Sequence, residues 1–297
     1  MMKGLAFFSR TERLFVGPVL TLALSLLLTL AGCRAGGKTA ETPSSGPSGR
    51  SRASVKGEIV ITIVYDNNAG RADLTPAWGF GCVVQGLEKT ILFDTGGDGR
   101  ILLANMRSLG IKADQIDAVV ISHIHGDHAG GLDSFLSLRP GVPVFIPAGF
   151  PESFKRQIRA RGSDPAEAEE TVEVCPGAKT TGTLGKGAIE EHGLCVKAPS
   201  GWVLITGCAH PGVGNMAAKA KAVTGGPIEL AAGGFHMGSY SKAQVEAVID
   251  RFRELGVKRV APCHCSGDGA RQLFAAHYGQ RCTLAGVGSV FRLGAEQ

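Results

Sequence analysis

Charge of one sign is scarce in this sequence: 31 Lys and Arg face 26 Asp and Glu over 297 residues, a formal surplus of +5. Aromatics make up only 6% of the chain, and no Lys/Arg cluster is interleaved with them. The electrostatic and stacking footprint of a nucleic-acid binder is therefore missing, and no nucleic-acid partner is expected. Paired C-x-x-C spacing is also absent, which removes a cysteine-rich structural zinc site. Apolar residues are plentiful: 44% hydrophobic content is enough to build a substantial core.

The long apolar run lies at the N-terminus, where Lys3, Arg10 and Arg13 precede Leu14 to Leu30 and Ala31-Gly32-Cys33 closes it. A basic start, an apolar middle and a small-residue end mark residues 1–33 as a secretion leader. The run also approaches the length of a membrane-spanning helix, which is the second reading. Leu30-Ala31-Gly32-Cys33 resembles a bacterial lipobox, which implies a lipid on Cys33 and an exported protein anchored in the membrane of the cell envelope, on its periplasmic or extracytoplasmic face. Residues 34–54 are dominated by Gly, Ser, Pro and Thr and read as a flexible tether. The folded domain is expected over residues 55–297 without an internal boundary, and removing the leader lowers the surplus to +3. Seven cysteines remain besides Cys33. An odd number leaves at least one unpaired, and no disulfide is assigned, although Cys175 and Cys195 flank a Gly/Thr-rich segment.

Strands are expected at Ile59–Tyr65, Phe80–Val84, Thr90–Phe93, Asp117–Ile121 and Val142–Ile146, each rich in β-branched or apolar residues. Helical spacing runs through Asp98–Leu109, with Gly110 as its stop, and Glu152–Glu170 reads as a helix or an insertion. Trp202–Ile205, Ile228–Ala232 and Val257–Ala261 repeat one arrangement: a strand, a loop containing Gly or Pro, then a histidine. Ser241-Lys242-Ala243-Gln244 has the form of a capping box opening a helix that stops at Gly256. Strands alternating with helices indicate an α/β layered domain.

The strongest chemical signal is His123-Ile124-His125-Gly126-Asp127-His128, which delivers three imidazoles and a carboxylate straight after an apolar strand. In an extended segment His123 and His125 share a face, while Asp127 and His128 lie beyond the bend at Gly126. That spacing allows two groups of ligands for a divalent metal. Imidazole and carboxylate together suit zinc first, with manganese or iron also compatible.

H-x-H-x-D-H after a strand resembles the signature of the metallo-β-lactamase superfamily, and Ile91-Leu92-Phe93-Asp94-Thr95-Gly96 is similar to that superfamily's upstream strand ending in Asp. The resemblance implies a four-layer αββα sandwich with metals at one edge. It implies one metal held by His123, His125 and His210, and a second held by Asp127, His128 and His264. The superfamily's bridging Asp is missing: the corresponding strand end reads Gly233-Gly234-Phe235-His236-Met237. One or two ions are therefore expected, and His236 stands open between metal ligand, substrate contact and packing residue. Cys208, Cys263 and Cys265 are expected to pack beside the ligands as small apolar residues. His192 and His277 match nothing in the pattern.

The motifs at Asp66-Asn67, Gly207 to Gly212, Gly233 to His236 and Pro262 to Cys265 resemble a narrower branch, the dihydropterin synthases that join 7,8-dihydropterin pyrophosphate to an aminobenzene ribosyl phosphate. An exported chain would not meet cytoplasmic pterins. The leading expectation is thus metal-dependent hydrolysis of a small anionic substrate by metal-bound hydroxide, formed as the metal lowers the pKa of water toward about 7. Asp127 and Asp94 are the expected catalytic carboxylates, with Asp94 fixing a ligand histidine, and Asn67, Asn68 and His236 are the candidate substrate contacts. The alternatives are the pyrophosphate-releasing condensation and a non-catalytic metal-binding lipoprotein. The region Gly233–Met237 departs from that of β-lactam-hydrolysing members, so the superfamily's name does not extend to its substrate.

Overall fold

A computed structural model describes residues 57–185 and 189–294. The leader, the tether and Cys33 lie outside them. The chain runs β1 (Ile59–Asp66), β2 (Phe80–Gln85), β3 (Ile91–Phe93), α1 (Gly99–Ser108), β4 (Ala118–Val120), α2 (Gly126–Ala129), α3 (Leu132–Leu138), β5 (Val144–Pro147) and α4 (Glu152–Ala160). It continues through β6 (Pro165–Ala168), β7 (Glu173–Cys175), β8 (Ala178–Thr180), β9 (Leu194–Ala198), β10 (Gly201–Thr206), α5 (Val213–Thr224), β11 (Ile228–Gly234), α6 (Lys242–Leu255), β12 (Arg259–Cys263), α7 (Asp268–Tyr278) and β13 (Val290–Leu293).

The strands form two sheets, ordered β13-β1-β2-β3-β4-β5-β6 and β12-β11-β10-β9-β8-β7. Period-two alternation divides their side chains between the two faces of each sheet. Ile61, Ile63, Phe93 and Val120 of the first sheet meet Val196, Val203, Ile205 and Leu230 of the second in one buried core. The alternate residues face outward and are covered by helices. Val83, Leu92 and Val119 pack with Leu102 of α1 and Phe135 of α3, while Leu204, Ala231 and Val260 pack with Met216 of α5, Ile249 and Phe252 of α6 and Phe274 of α7. The result is the αββα sandwich that the sequence motifs implied.

Local signals act where expected. Asp98 caps α1 by accepting from Arg100 N. Ser241 and Gln244 exchange the reciprocal hydrogen bonds of a capping box at the start of α6. The segment Glu152–Glu170 is not one element: α4 stops at Ala160 and β6 then pairs in parallel with β5. Among the described residues no helix is long and apolar enough to cross a membrane, and all seven cysteines are free.

Strand direction brings the site together. β1 runs parallel to β3 because each is antiparallel to β2, and β3 is parallel to β4. In the other sheet β10, β11 and β12 are mutually parallel. The loops after these six carboxyl ends carry every candidate ligand, as expected for ligand sites at the carboxyl ends of parallel strands.

Candidate metal centre

Asp94 follows β3, His123 to His128 follow β4, Cys208 and His210 follow β10, His236 follows β11, and His264 follows β12. Among the described residues, the non-glycine positions with positive φ are Asp94, Ala209, His236 and His264. Each such conformation costs on the order of 1–3 kcal/mol and persists only where surrounding contacts enforce it. Asp94, His236 and His264 follow strand ends at the site, and Ala209 lies between Cys208 and His210 in the loop after β10.

The hydrogen bonds fix which ring nitrogens carry protons. Asp94 is fully buried and accepts at Oδ1 from Ser122 N at 2.6 Å, and at Oδ2 from Ser122 Oγ and His128 Nδ1, both at 2.7 Å. With its proton given to Asp94, Ser122 Oγ accepts from His123 Nδ1 at 2.9 Å. Asn67 Oδ1 accepts from His264 Nδ1 at 2.9 Å. In its neutral form each of these imidazoles presents its Nε2 lone pair to the centre, the arrangement that outer partners impose on metal-binding histidines.

Those Nε2 atoms converge. His128 Nε2 and His264 Nε2 are 3.2 Å apart, and Asp127 Oδ2 lies 3.7 and 3.4 Å from them. His123 Nε2 stands 3.2 Å from His125 Nδ1, and the His210 ring is 4.8 Å, centroid to centroid, from both of these imidazoles. The buried Nε2 of His210 has no partner in the protein. Around a tetrahedral zinc ion with Zn–N of about 2.1 Å, neighbouring nitrogens are about 3.4 Å apart. The spacings fit a cation at each of the two groups.

The charge balance follows the same division. Burial, joined by the neighbouring rings of His128 and His210, holds the His123 ring far below its ordinary value, so it is neutral as a ligand must be. Burial and the neighbouring His236 and His125 rings lower His210 to about 4. Burial alone would also lower His128, but the charge of Asp94 and its hydrogen bond outweigh it and raise that ring. Burial raises Asp127, yet the His264 hydrogen bond and the charge of His128 overcome it and hold this carboxylate well below the ordinary range.

The structure places the remaining candidates as follows. Asp94, expected to fix a ligand histidine, is buried beneath His128 with Oδ2 2.7 Å from its Nδ1, and is a positioning residue. Asn67 and Asn68, expected to contact substrate, are half-buried and hydrogen-bonded within the protein. Asn67 spans the ring and carbonyl of His264, while Asn68 donates to Asp66 and accepts from Arg271. His236 is exposed, 4.3 Å from the His210 ring, at the mouth of the site. Cys208, expected only to pack, has Sγ 3.2 Å from His128 Nε2 and 3.4 Å from His264 Nε2.

Glu191 was not foreseen. It is fully buried and accepts from three consecutive backbone N–H groups, Cys208 and Ala209 at Oε1 and His210 at Oε2, at 2.8–2.9 Å. Its carboxylate thus clamps the loop that carries two of the donors. Burial pushes the Glu191 carboxyl up to about 7, although the N–H donors of Ala209, His210 and Cys208 act in the opposite direction. Nothing in Glu190-Glu191-His192 marks this acid out in the sequence, because its role arises from placement beside a loop distant in sequence. Trp78 is also new: 61% exposed, its ring lies 4.9 Å from that of His264.

Comparison with known proteins agrees with this geometry. The model of the metallo-beta-lactamase superfamily matches residues 82–264. A relative from Methanocaldococcus jannaschii, 7,8-dihydropterin-6-methyl-4-(beta-D-ribofuranosyl)-aminobenzene-5'-phosphate synthase, is 27% identical over 237 residues, covering 65% of this chain and 81% of the relative. The solved structure of Tm1679, a metal-dependent hydrolase of the beta-lactamase superfamily, is similar with a TM-score of 0.67 at 25% identity, covering 80% of this chain and 99% of that one. A diphosphatase from the PhnP family shares the fold, with a TM-score of 0.53 at 18% identity over 80% of this chain and 98% of its own.

Proposed function

The chain belongs to the metallo-beta-lactamase superfamily, and from that premise we propose that this enzyme is a metal-dependent hydrolase acting on a small anionic substrate. The observation that carries the proposal is the pair of donor groups in which ring nitrogens converge to 3.2 Å. His123, His125 and His210 would hold one ion, and Asp127, His128 and His264 the other, with zinc favoured by the imidazole-rich donor set. When bound, such ions supply Lewis acidity, which makes water nucleophilic near neutral pH and polarises a carbonyl or phosphoryl oxygen.

The protein's own side chains do the rest. Asp94, Ser122 and Asn67 keep the Nδ1 protons of His128, His123 and His264 outward, so their Nε2 atoms stay available. Asp127 remains ionised and accepts a hydrogen bond from the attacking water at its second oxygen. A carboxylate held so low is a poor proton store, so its part is to orient rather than to retain the proton. His236, raised by its hydrogen bond with Cys265, stands at the mouth where it donates to an anionic group of the substrate.

The test is an assay of the purified full chain against phosphoesters, thioesters and lactams. Turnover of one class that stops on chelation and returns with zinc is the expected result. Protein that binds no metal, and whose stability is unchanged by its addition, would sink the proposal. Exposed Trp78 beside His264 favours a second reading, because an indole face suits a flat heterocycle: a pyrophosphate-releasing condensation like that of the archaeal relative. Pyrophosphate release from a dihydropterin diphosphate, with an aminobenzene acceptor present, separates the two. We also propose export and lipid attachment at Cys33. A Cys33→Ala chain that still partitions with membranes would overturn that.

A further inference from the structure

The superfamily's bridging carboxylate has no counterpart at the end of β11, and the structure leaves no room for one at Gly234. A Cβ there would lie 2.7 Å from Cys265 Sγ and 3.2 Å from His264 Cδ2. The donor that does stand between the two groups comes from the neighbouring strand. Cys208 Sγ lies within 4.8 Å of the donor atoms of Asp127, His128 and His264, and equally belongs with those of His123 and His210.

We propose that Cys208 is a thiolate ligand shared by the two metal positions, taking the place of the missing carboxylate. The inference rests on the metal-dependent reading above. For Zn–S of about 2.3 Å and Zn–N of about 2.1 Å, a tetrahedral ion separates sulfur from nitrogen by about 3.6 Å. Cys208 Sγ, at 3.2 and 3.4 Å from two ligand nitrogens, is within a few tenths of an ångström of that distance. With Asp127, His128 and His264 it completes a four-donor set of one carboxylate, two imidazoles and one sulfur. Metal entry displaces the thiol proton to solvent, as ligand thiols require.

Three placements support this assignment over a packing role. Glu191 holds the N–H of Cys208 itself, and those of the next two residues, so the sulfur is fixed as firmly as a ligand must be. Gly207 lies so close beneath the site that a Cβ there would meet Ser122 Oγ and come within 2.9 Å of Asp94 Oδ2; only glycine lets this loop descend far enough. Cys265, the other nearby sulfur, points its S–H at the carbonyl of Cys208, 3.6 Å away. It thus supports the loop from outside. A soft thiolate in the shared position biases the centre toward zinc and against manganese.

The full chain, stripped with chelator and reloaded with cobalt(II) or zinc(II), provides the test. Two metal equivalents, a thiolate-to-cobalt charge-transfer band, and a sulfur neighbour of zinc at about 2.3 Å in X-ray absorption are expected. Cys208→Ser should lose the band and weaken binding of the second equivalent at least tenfold, whereas Cys265→Ser keeps both. Two equivalents with only nitrogen and oxygen neighbours would overturn the bridge and leave the metal reading standing. A band that disappears in Cys265→Ser and survives in Cys208→Ser would assign the thiolate to Cys265 and overturn the proposal. No bound metal in the wild-type chain would overturn both. The absorption measurement needs no variant, so a variant that fails to fold does not blunt the test.

Discussion

The two donor groups lie a few ångströms apart and are built to different standards. His128 gives its Nδ1 proton to a buried carboxylate and His264 to a carboxamide that also grips the His264 backbone. On the other side, His123 rests on a serine hydroxyl, His125 is half-exposed, and His210 keeps a buried ring nitrogen with no protein partner. Outer partners typically carry tenfold to hundredfold in metal affinity, so the Asp127/His128/His264 side should bind first and release last. Glu191 is common to both, because its loop delivers Cys208 and His210.

The largest effect should come from removing that common support. Glu191→Ala leaves three buried N–H groups without an acceptor, at about 1–3 kcal/mol each, and should lower Tm by on the order of 10 °C while weakening both metal positions. Scanning calorimetry with metal titration reads both; loss at one position only would show that the loop is not shared. Glu191 also sets a pH signature in metal-free protein. Its folded value near 7 lies above the free value of 4.5, so between these values the folded chain binds more protons than the unfolded chain. The stability contribution is present below about 4.5 and is lost as pH rises through 7. Glu191→Gln should flatten that part of the Tm profile, and an unchanged slope would remove Glu191 as its source.

Next in size is Asp94→Asn, which keeps the shape beneath His128 but removes the charge. Affinity at the Asp127/His128/His264 position should fall about tenfold to hundredfold, with the other position little changed, as read by competition with a chromophoric chelator. Equal losses at both would erase the contrast. A matched pair sharpens it further: His125→Ala should release one equivalent and retain the better-supported ion, whereas Asp127→Ala should release the other. Elemental analysis after gel filtration counts them, and a chain emptied by His125→Ala alone would mean that the two positions fill only together.

What the sequence disclosed follows the same contrast. The ligand run after β4 and the histidines after β10 and β12 were legible because short-range rules place them: an apolar strand, then a loop containing Gly or Pro, then the donor. The layers were legible through period-two strands and the capping box at Ser241. Glu191, Ser122 and the bridging position of Cys208 were not, since each depends on which loops meet across two sheets. β6 to β8 also escaped notice. They are three or four residues long, and Pro-Ala-Glu-Ala carries no strand signal of its own; pairing with neighbours makes them strands. The turn chemistry of Asn67 and Asn68 was plain, but the partners of their amide oxygens, His264 and Arg271, lie about 200 residues away and were not legible.

The smallest effect is expected at His236, and it decides whether the exposed rim belongs to the metals or to the substrate. The ring is exposed at a strained strand end, with His210 on one side and Cys265 on the other. It hangs from the less supported side of the site, so a ligand role would make it the weakest of all the donors. His236→Ala should leave both metal equivalents in place, change stability by no more than about 0.5 kcal/mol, the range of surface substitutions, and raise KM for the anionic substrate more than it lowers kcat. That split is what a residue meeting substrate outside the metal centre produces. Loss of a metal equivalent in His236→Ala would instead place the ring among the ligands, and would shift the stronger support to the side that now looks poorly braced.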